Sequence, residues 1–192
     1  DLRRSEPEVS SSWVVRHPPG NDRLLTSVAW NGSGHCLAAS TRGLVYWDGT
    51  HWAVVPTEGL GDLGRVQFVR RLTATSWLLG SERGALIEYS RGGLRELARL
   101  PDPALSIVDA HGELGDLAVI AAEDASRRPY LIGHAARRFM RPLPVEGAAS
   151  VSAVARIDDA SWLVIGRSVE GKSYAARYLP LEWTLSPIAT PE

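Results

Sequence analysis

The chain has 192 residues, enough for one domain with a buried core, and 21 basic residues nearly cancel 22 acidic ones. That balance excludes a nucleic-acid footprint, and no apolar run reaches the roughly 18 residues of a membrane span. Cys36 is the only cysteine, which excludes an internal disulfide and a cysteine-built metal site and fits a reducing compartment such as the cytoplasm. Lys172 is the only lysine, and arginine supplies every other basic residue. That bias is the codon signature of a GC-rich, bacterial genome. The chain opens on Asp1 with no signal-peptide pattern. A longer parent protein is expected, and absent targeting signals carry little weight.

Residues 1–11 are polar and aperiodic and read as a linker, leaving 12–192 as one all-β domain. Ser12–Pro18 reads as a short strand led by Trp13. Four groups of four strand-like runs follow, separated by turn residues. The first group is Leu25–Trp30, His35–Thr41, Gly43–Asp48 and His51–Thr57, with Asp48-Gly49 predicting a two-residue hairpin. The second is Arg65–Leu72, Ser76–Glu82, Gly84–Ser90 and Leu94–Leu100. The third is Leu105–Gly112, Asp116–Asp124, Pro129–Ala135 and Arg137–Leu143. The fourth is Val151–Ile157, Ser161–Ser168, Ser173–Leu179 and Glu182–Ile188.

Within each group the second run is almost wholly apolar, as a strand covered on both faces must be. It carries a small residue at Ala39, Gly80, Ala121 and Gly166, so neighbouring sheets can approach closely. The fourth run is more polar and carries one bulky residue: Trp52, Leu94, Phe139 and Trp183. Pro56, Pro101, Pro142 and Pro187 lie at or near its end, as suits an edge. Trp13 precedes Trp52 by one repeat and marks an orphan outer strand.

This repeat of 41 to 45 residues resembles the blade of a β-propeller. Gly43-Leu-Val-Tyr-Trp-Asp-Gly-Thr-His-Trp52 is similar to the loose signature of bacterial propeller repeats. The resemblance implies four four-stranded blades plus one extra N-terminal outer strand. It does not extend to the WD40, kelch or Asp-box families: Gly34-His35 and Trp47-Asp48 stand too close together and do not recur. Because the fourth blade has its own outer strand, Trp13–Pro18 does not close the ring in the usual way. Further blades of the parent, or another subunit, are expected to complete it.

Few residues carry chemistry. His17, His35, His51, His111 and His134 are scattered without metal-site spacing. Val169-Glu-Gly-Lys-Ser173 ends like a phosphate loop but lacks the upstream glycine and the helix. Asp158-Asp159 and Glu123-Asp124 read as solvated turns. No nucleophilic triad is visible, so no catalytic residue, metal ligand or cofactor is assigned. Trp77 with Trp162, and Trp13 with Trp52 and Trp183, hold repeat-locked places that suit packing between blades. Trp30 and Trp47 break that pattern and, with Arg42 and His35, are the candidate contacts for a partner. The expected function is non-enzymatic: a protein-interaction, scaffold or sensor module, with a protein or another part of the parent as partner. Alternatives are a carbohydrate-binding propeller and, further off, a propeller hydrolase or lyase. No nucleic-acid or membrane partner is expected, and an oligomer completing the ring is an option.

Overall fold

A computed structural model describes residues 24–189, apart from Gly59, Gly92 and Gly115. The linker, Trp13 and the orphan strand lie outside the described residues. Blade 1 consists of β1 (Leu25–Trp30), β2 (Cys36–Ser40), β3 (Gly43–Trp47) and β4 (Trp52–Val55). Blade 2 consists of β5 (Val66–Arg71), β6 (Trp77–Ser81), β7 (Ala85–Ser90) and β8 (Gly93–Arg99). Blade 3 consists of β9 (Ser106–Gly112), β10 (Leu117–Glu123), β11 (Pro129–Ala135), β12 (Arg138–Phe139) and β13 (Leu143–Pro144). Blade 4 consists of β14 (Ala148–Arg156), β15 (Trp162–Ser168), β16 (Ser173–Leu179) and β17 (Thr184–Pro187). Every sheet is an antiparallel meander in chain order, and no helix occurs among the described residues.

Three apolar clusters join the blades. Leu37, Ala39 and Leu44 of blade 1 meet Val69, Trp77 and Leu79 of blade 2. Phe68, Leu78 and Leu86 of blade 2 meet Ile107, Ala110 and Ile120 of blade 3. Val119, Ala121 and Leu131 of blade 3 meet Val154, Trp162 and Tyr178 of blade 4. The inner strands pack in sequence, β1 on β5, β5 on β9 and β9 on β14. A closed four-blade ring needs a fourth interface, and no apolar cluster of the described residues joins blade 4 to blade 1. The arc is open.

Four details differ from the sequence reading. The first is the third outer strand, which is split into β12 and β13. Ala136 and Arg137 both take positive φ in the preceding turn (48° and 62°). Met140 then folds over Gly133, where a Cβ would lie 2.5 Å from its sulfur. Second, Asp48-Gly49 belongs to a four-residue loop between the paired Trp47 and Trp52. Asp48 Oδ1 accepts the amides of Thr50 and His51 (both 2.8 Å), and Gly49 supplies φ 99°. An Asx turn thus replaces the tight hairpin.

Third, the bulky outer-strand position in blade 4 is Leu185 rather than Trp183. Trp52, Leu94, Phe139 and Leu185 pair with the corresponding third-strand residues Trp47, Tyr89, His134 and Tyr178. Trp183 sits before β17 and ties blade 4 to blade 3, donating from Nε1 to the Arg141 carbonyl (3.1 Å). Fourth, strand pairing puts Ile165, not Gly166, in the place of Ala39, Gly80 and Ala121.

Close approach at the small residues takes two forms. A Cβ on Gly80 would fall 2.1 Å from the Phe68 ring and 2.8 Å from Ile107 of the next blade. On Gly166 it would fall 2.0 Å from the Ser150 carbonyl oxygen of the neighbouring strand, at a bulge.

Candidate functional site

Polar bridges hold the inner strands in register before any surface site is formed. Ser27, Phe68 and Asp109 occupy like places on β1, β5 and β9, opposite Ala39, Gly80 and Ala121. The Val69 amide donates to Ser27 Oγ (2.9 Å), and the Val154 amide donates to Asp109 Oδ2 (2.8 Å). Arg70 donates through Nε (2.9 Å) and Nη2 to both Asp109 oxygens, so this carboxylate links blades 2, 3 and 4. Burial raises the Asp109 carboxyl, against the Val154 amide and the Arg70 charge. His111 Nδ1 accepts the Arg156 amide (2.6 Å), so the ring is neutral with its proton on Nε2. Burial, chiefly, and the Arg70 charge hold its pKa below the ordinary value.

A cleft of about 540 Å³ opens between blades 1 and 2. It lies on the rim formed by the β1–β2, β3–β4, β5–β6 and β7–β8 connections. Asn31, Ser33, His35, Tyr46 and Asp48 line one side; Thr75, Trp77, Tyr89 and Arg91 line the other. Tyr46 reaches from blade 1 and meets Trp77 edge-on (5.8 Å) and Tyr89 (5.6 Å) of blade 2. Trp77 is 2% exposed and donates to the Ala29 carbonyl (2.9 Å), so it forms the floor rather than an open platform. Tyr46 is hydrogen-bonded to His35 Nδ1 (2.7 Å).

The polar groups of the cleft divide into committed and available ones. Asn31 caps its own loop, accepting the Ser33 and His35 amides, and its Nδ2 donates to Ala74 of blade 2. Asp48 accepts from its own turn, and those hydrogen bonds hold its carboxyl down at about 2. Arg91 makes no ion pair and the Tyr89 hydroxyl no hydrogen bond among the described residues. Arg91 can only donate, whereas the Tyr89 hydroxyl, like those of Ser33 and Thr75 on the same walls, can donate or accept.

The four sequence candidates separate. His35 belongs to the cleft. Trp30 and Trp47 flank Cys36 on the face of blade 1 turned away from blade 2. Trp47 also meets the Trp52 ring at a tilt (5.6 Å between centroids). Arg42 is exposed in the β2–β3 turn at the opposite rim. Trp47 does not break the repeat: it takes the place of Tyr89 and Tyr178, which pack on their preceding blades. Tyr46, Tyr89 and Arg91 escaped the sequence reading because their meeting depends on which sheet face each strand residue takes. The acidic pairs are turns: Asp158 accepts the Ala160 and Ser161 amides, and Asp124 those of Ser126 and Arg128. Ser168–Lys172 closes a hairpin, with the Ser168 amide on the Lys172 carbonyl (2.8 Å). No group of three potential metal ligands occurs among the described residues.

No protein-family model matches the chain, and no curated protein matches it. Solved structures do. The extracellular domain of BT4673 from B. thetaiotaomicron superposes with TM-score 0.65 at 15% identity, over 92% of this chain and 23% of that one. YCF48 bound to D1 peptide gives TM-score 0.64 at 12% identity, over 95% of this chain and 58% of that one. The Dos1 propeller gives 0.56 at 12% identity, over 88% and 50%. The chain spans less than two thirds of each of these structures. At such identities the likeness carries the fold alone. The alternating meanders, their three shared cores and these superpositions agree: the chain has a β-propeller fold, present as an arc of four blades.

Proposed function

We propose that the chain is a non-enzymatic binding module, part of a larger bacterial scaffold or sensor protein, that holds a peptide segment of a protein partner between blades 1 and 2. The cleft carries this reading. Tyr46 and Tyr89 present large, stiff side chains at low entropic cost, and Arg91 and the Tyr89 hydroxyl offer uncommitted donors. Rings, donors and a two-sided wall suit an extended segment bearing an acidic or carbonyl-rich stretch. YCF48, a propeller of like fold, is a peptide-bound structure, and that supports the same use here.

A glycan is the second reading, because an aromatic cleft between blades is where a sugar site is expected. Against it, Trp77 is buried and the rings meet edge to face, which leaves little flat surface for a sugar ring.

A random displayed-peptide library panned on the chain tests the proposal. Peptides enriched on the wild type are expected to lose about tenfold in affinity on Arg91→Ala, an exposed change that leaves the melting temperature in place. No enrichment, or equal binding to the variant, refutes it. Glycan-array binding that survives Arg91→Ala but not Tyr89→Ala selects the second reading.

A further inference from the structure

The cleft between blades 1 and 2 carries a fixed charge of each sign on opposite walls. Asp48 stands in the β3–β4 loop of blade 1, and Arg91 in the β7–β8 turn of blade 2. Asp48 Oδ1 takes the neutral donors of its own loop, which keep the carboxyl ionised without cancelling its charge. Its Oδ2 meets only the exposed ring of His51 (2.9 Å). The Tyr46 hydroxyl feels both walls: burial, chiefly, raises its pKa, the Arg91 charge lowers it and the Asp48 charge raises it. The same place recurs at the other two interfaces without this pair of charges. Strand pairing puts Glu88 and Gly133 where blade 1 has Tyr46. Glu88 is closed by Arg95 of its own blade (2.6 Å), and Gly133 is covered by Met140 and Pro180.

We infer that the peptide segment held in this cleft carries two side chains of opposite charge, an acidic one against Arg91 and a basic one against Asp48. This rests on the peptide reading above and adds to it a second anchor and an order. In an extended segment successive side chains point to alternate sides, so two residues of opposite charge can meet the two walls at once. The Arg91 fork matches a carboxylate with two parallel hydrogen bonds. Asp48 Oδ2 is left to an ammonium or guanidinium group once the exposed His51 ring turns aside. A purely acidic segment sets like charge against Asp48. Reversing a mixed one sets like charges against both walls, which excludes the wrong order.

The test pans a random displayed-peptide library on the whole chain and on its Asp48→Asn form. Asparagine keeps the loop, because its Oδ1 accepts the same amides. Peptides enriched on the wild type are expected to hold an acidic and a basic residue in one constant order. Those enriched on Asp48→Asn should share the acidic residue alone. A wild-type peptide should lose about threefold to fivefold in affinity at low salt when its basic residue becomes glutamine, a change that leaves the protein untouched. Asp48→Asn should cost the same, the two changes together should cost no more, and high salt should shrink the loss. Acidic peptides without a basic residue, equal use of both orders, or additive losses overturn the inference while the cleft keeps its peptide. No enrichment overturns both.

Discussion

Two ionisable side chains near the axis fix the register between blades. Asp109 is 4% exposed and serves three blades at once through Arg70 and the Val154 amide. Asp109→Asn keeps an acceptor for the amide but leaves the Arg70 guanidinium without its counter-charge. It should cost about 2–3 kcal/mol, read as a lowered urea midpoint at unchanged m-value. His111 sets a pH dependence. Its folded pKa is depressed, so the unfolded chain binds more protons at mildly acidic pH. Its contribution is complete above the unfolded value of about 6.5 and is lost as pH falls below it. The midpoint of the wild type should therefore drop between about pH 7.5 and 5.5, and His111→Asn, which keeps an acceptor near Nδ1, should drop less. Equal drops would remove His111 from the account.

At the level of the strand, space rather than hydrophobicity decides which small residues matter. Gly80 faces a phenyl ring and an isoleucine methyl, both of which can shift, whereas Gly166 faces a carbonyl oxygen held in the sheet. Gly80→Ala should destabilise by about 1–3 kcal/mol, and Gly166→Ala by more, in matched denaturation curves. Reversal of that order would show the β14 bulge to be more yielding than its neighbour. Strand existence was legible in the residues because two-sided burial leaves a continuous apolar run, as in Cys36–Ser40 and Leu117–Glu123. The outer strands were less legible. Phe139 announces β12, but nothing local announces that Met140 folds over Gly133 and divides the strand. The alignment of blade 4 slipped by one residue for a similar reason. Bulges in β14 shift the pairing, and a bulge leaves no mark on composition.

For the molecule as a whole, an arc of blades has only nearest-neighbour interfaces, so stability is distributed unevenly along it. Blades 2 and 3 are covered on both sides by described neighbours; blades 1 and 4 each have one face without a described partner. Native-state hydrogen exchange should be slowest in β6, β10 and β11 and fastest in β4 and β17. Protection of β4 equal to that of β6 would mean that the arc unfolds as one unit and that its end blades are as well supported as the middle ones.

The residues by themselves determined the blade. A 41-residue spacing of apolar second strands, polar outer strands and Gly/Pro punctuation leaves few other ways to hide those faces from water. They also placed Trp77 and Trp162 as packing residues, which the clusters between blades bear out. Tertiary structure alone decided the cleft and the open ends. Tyr46 and Tyr89 share no local signal; they meet because one lies on the forward face of blade 1 and the other on the rear face of blade 2. Trp47 has the place of Tyr178, yet only a three-dimensional count of interfaces shows that one is packed between two described blades and the other is not. Local pattern fixes which side of a strand is apolar. What covers that side depends on residues distant in the chain.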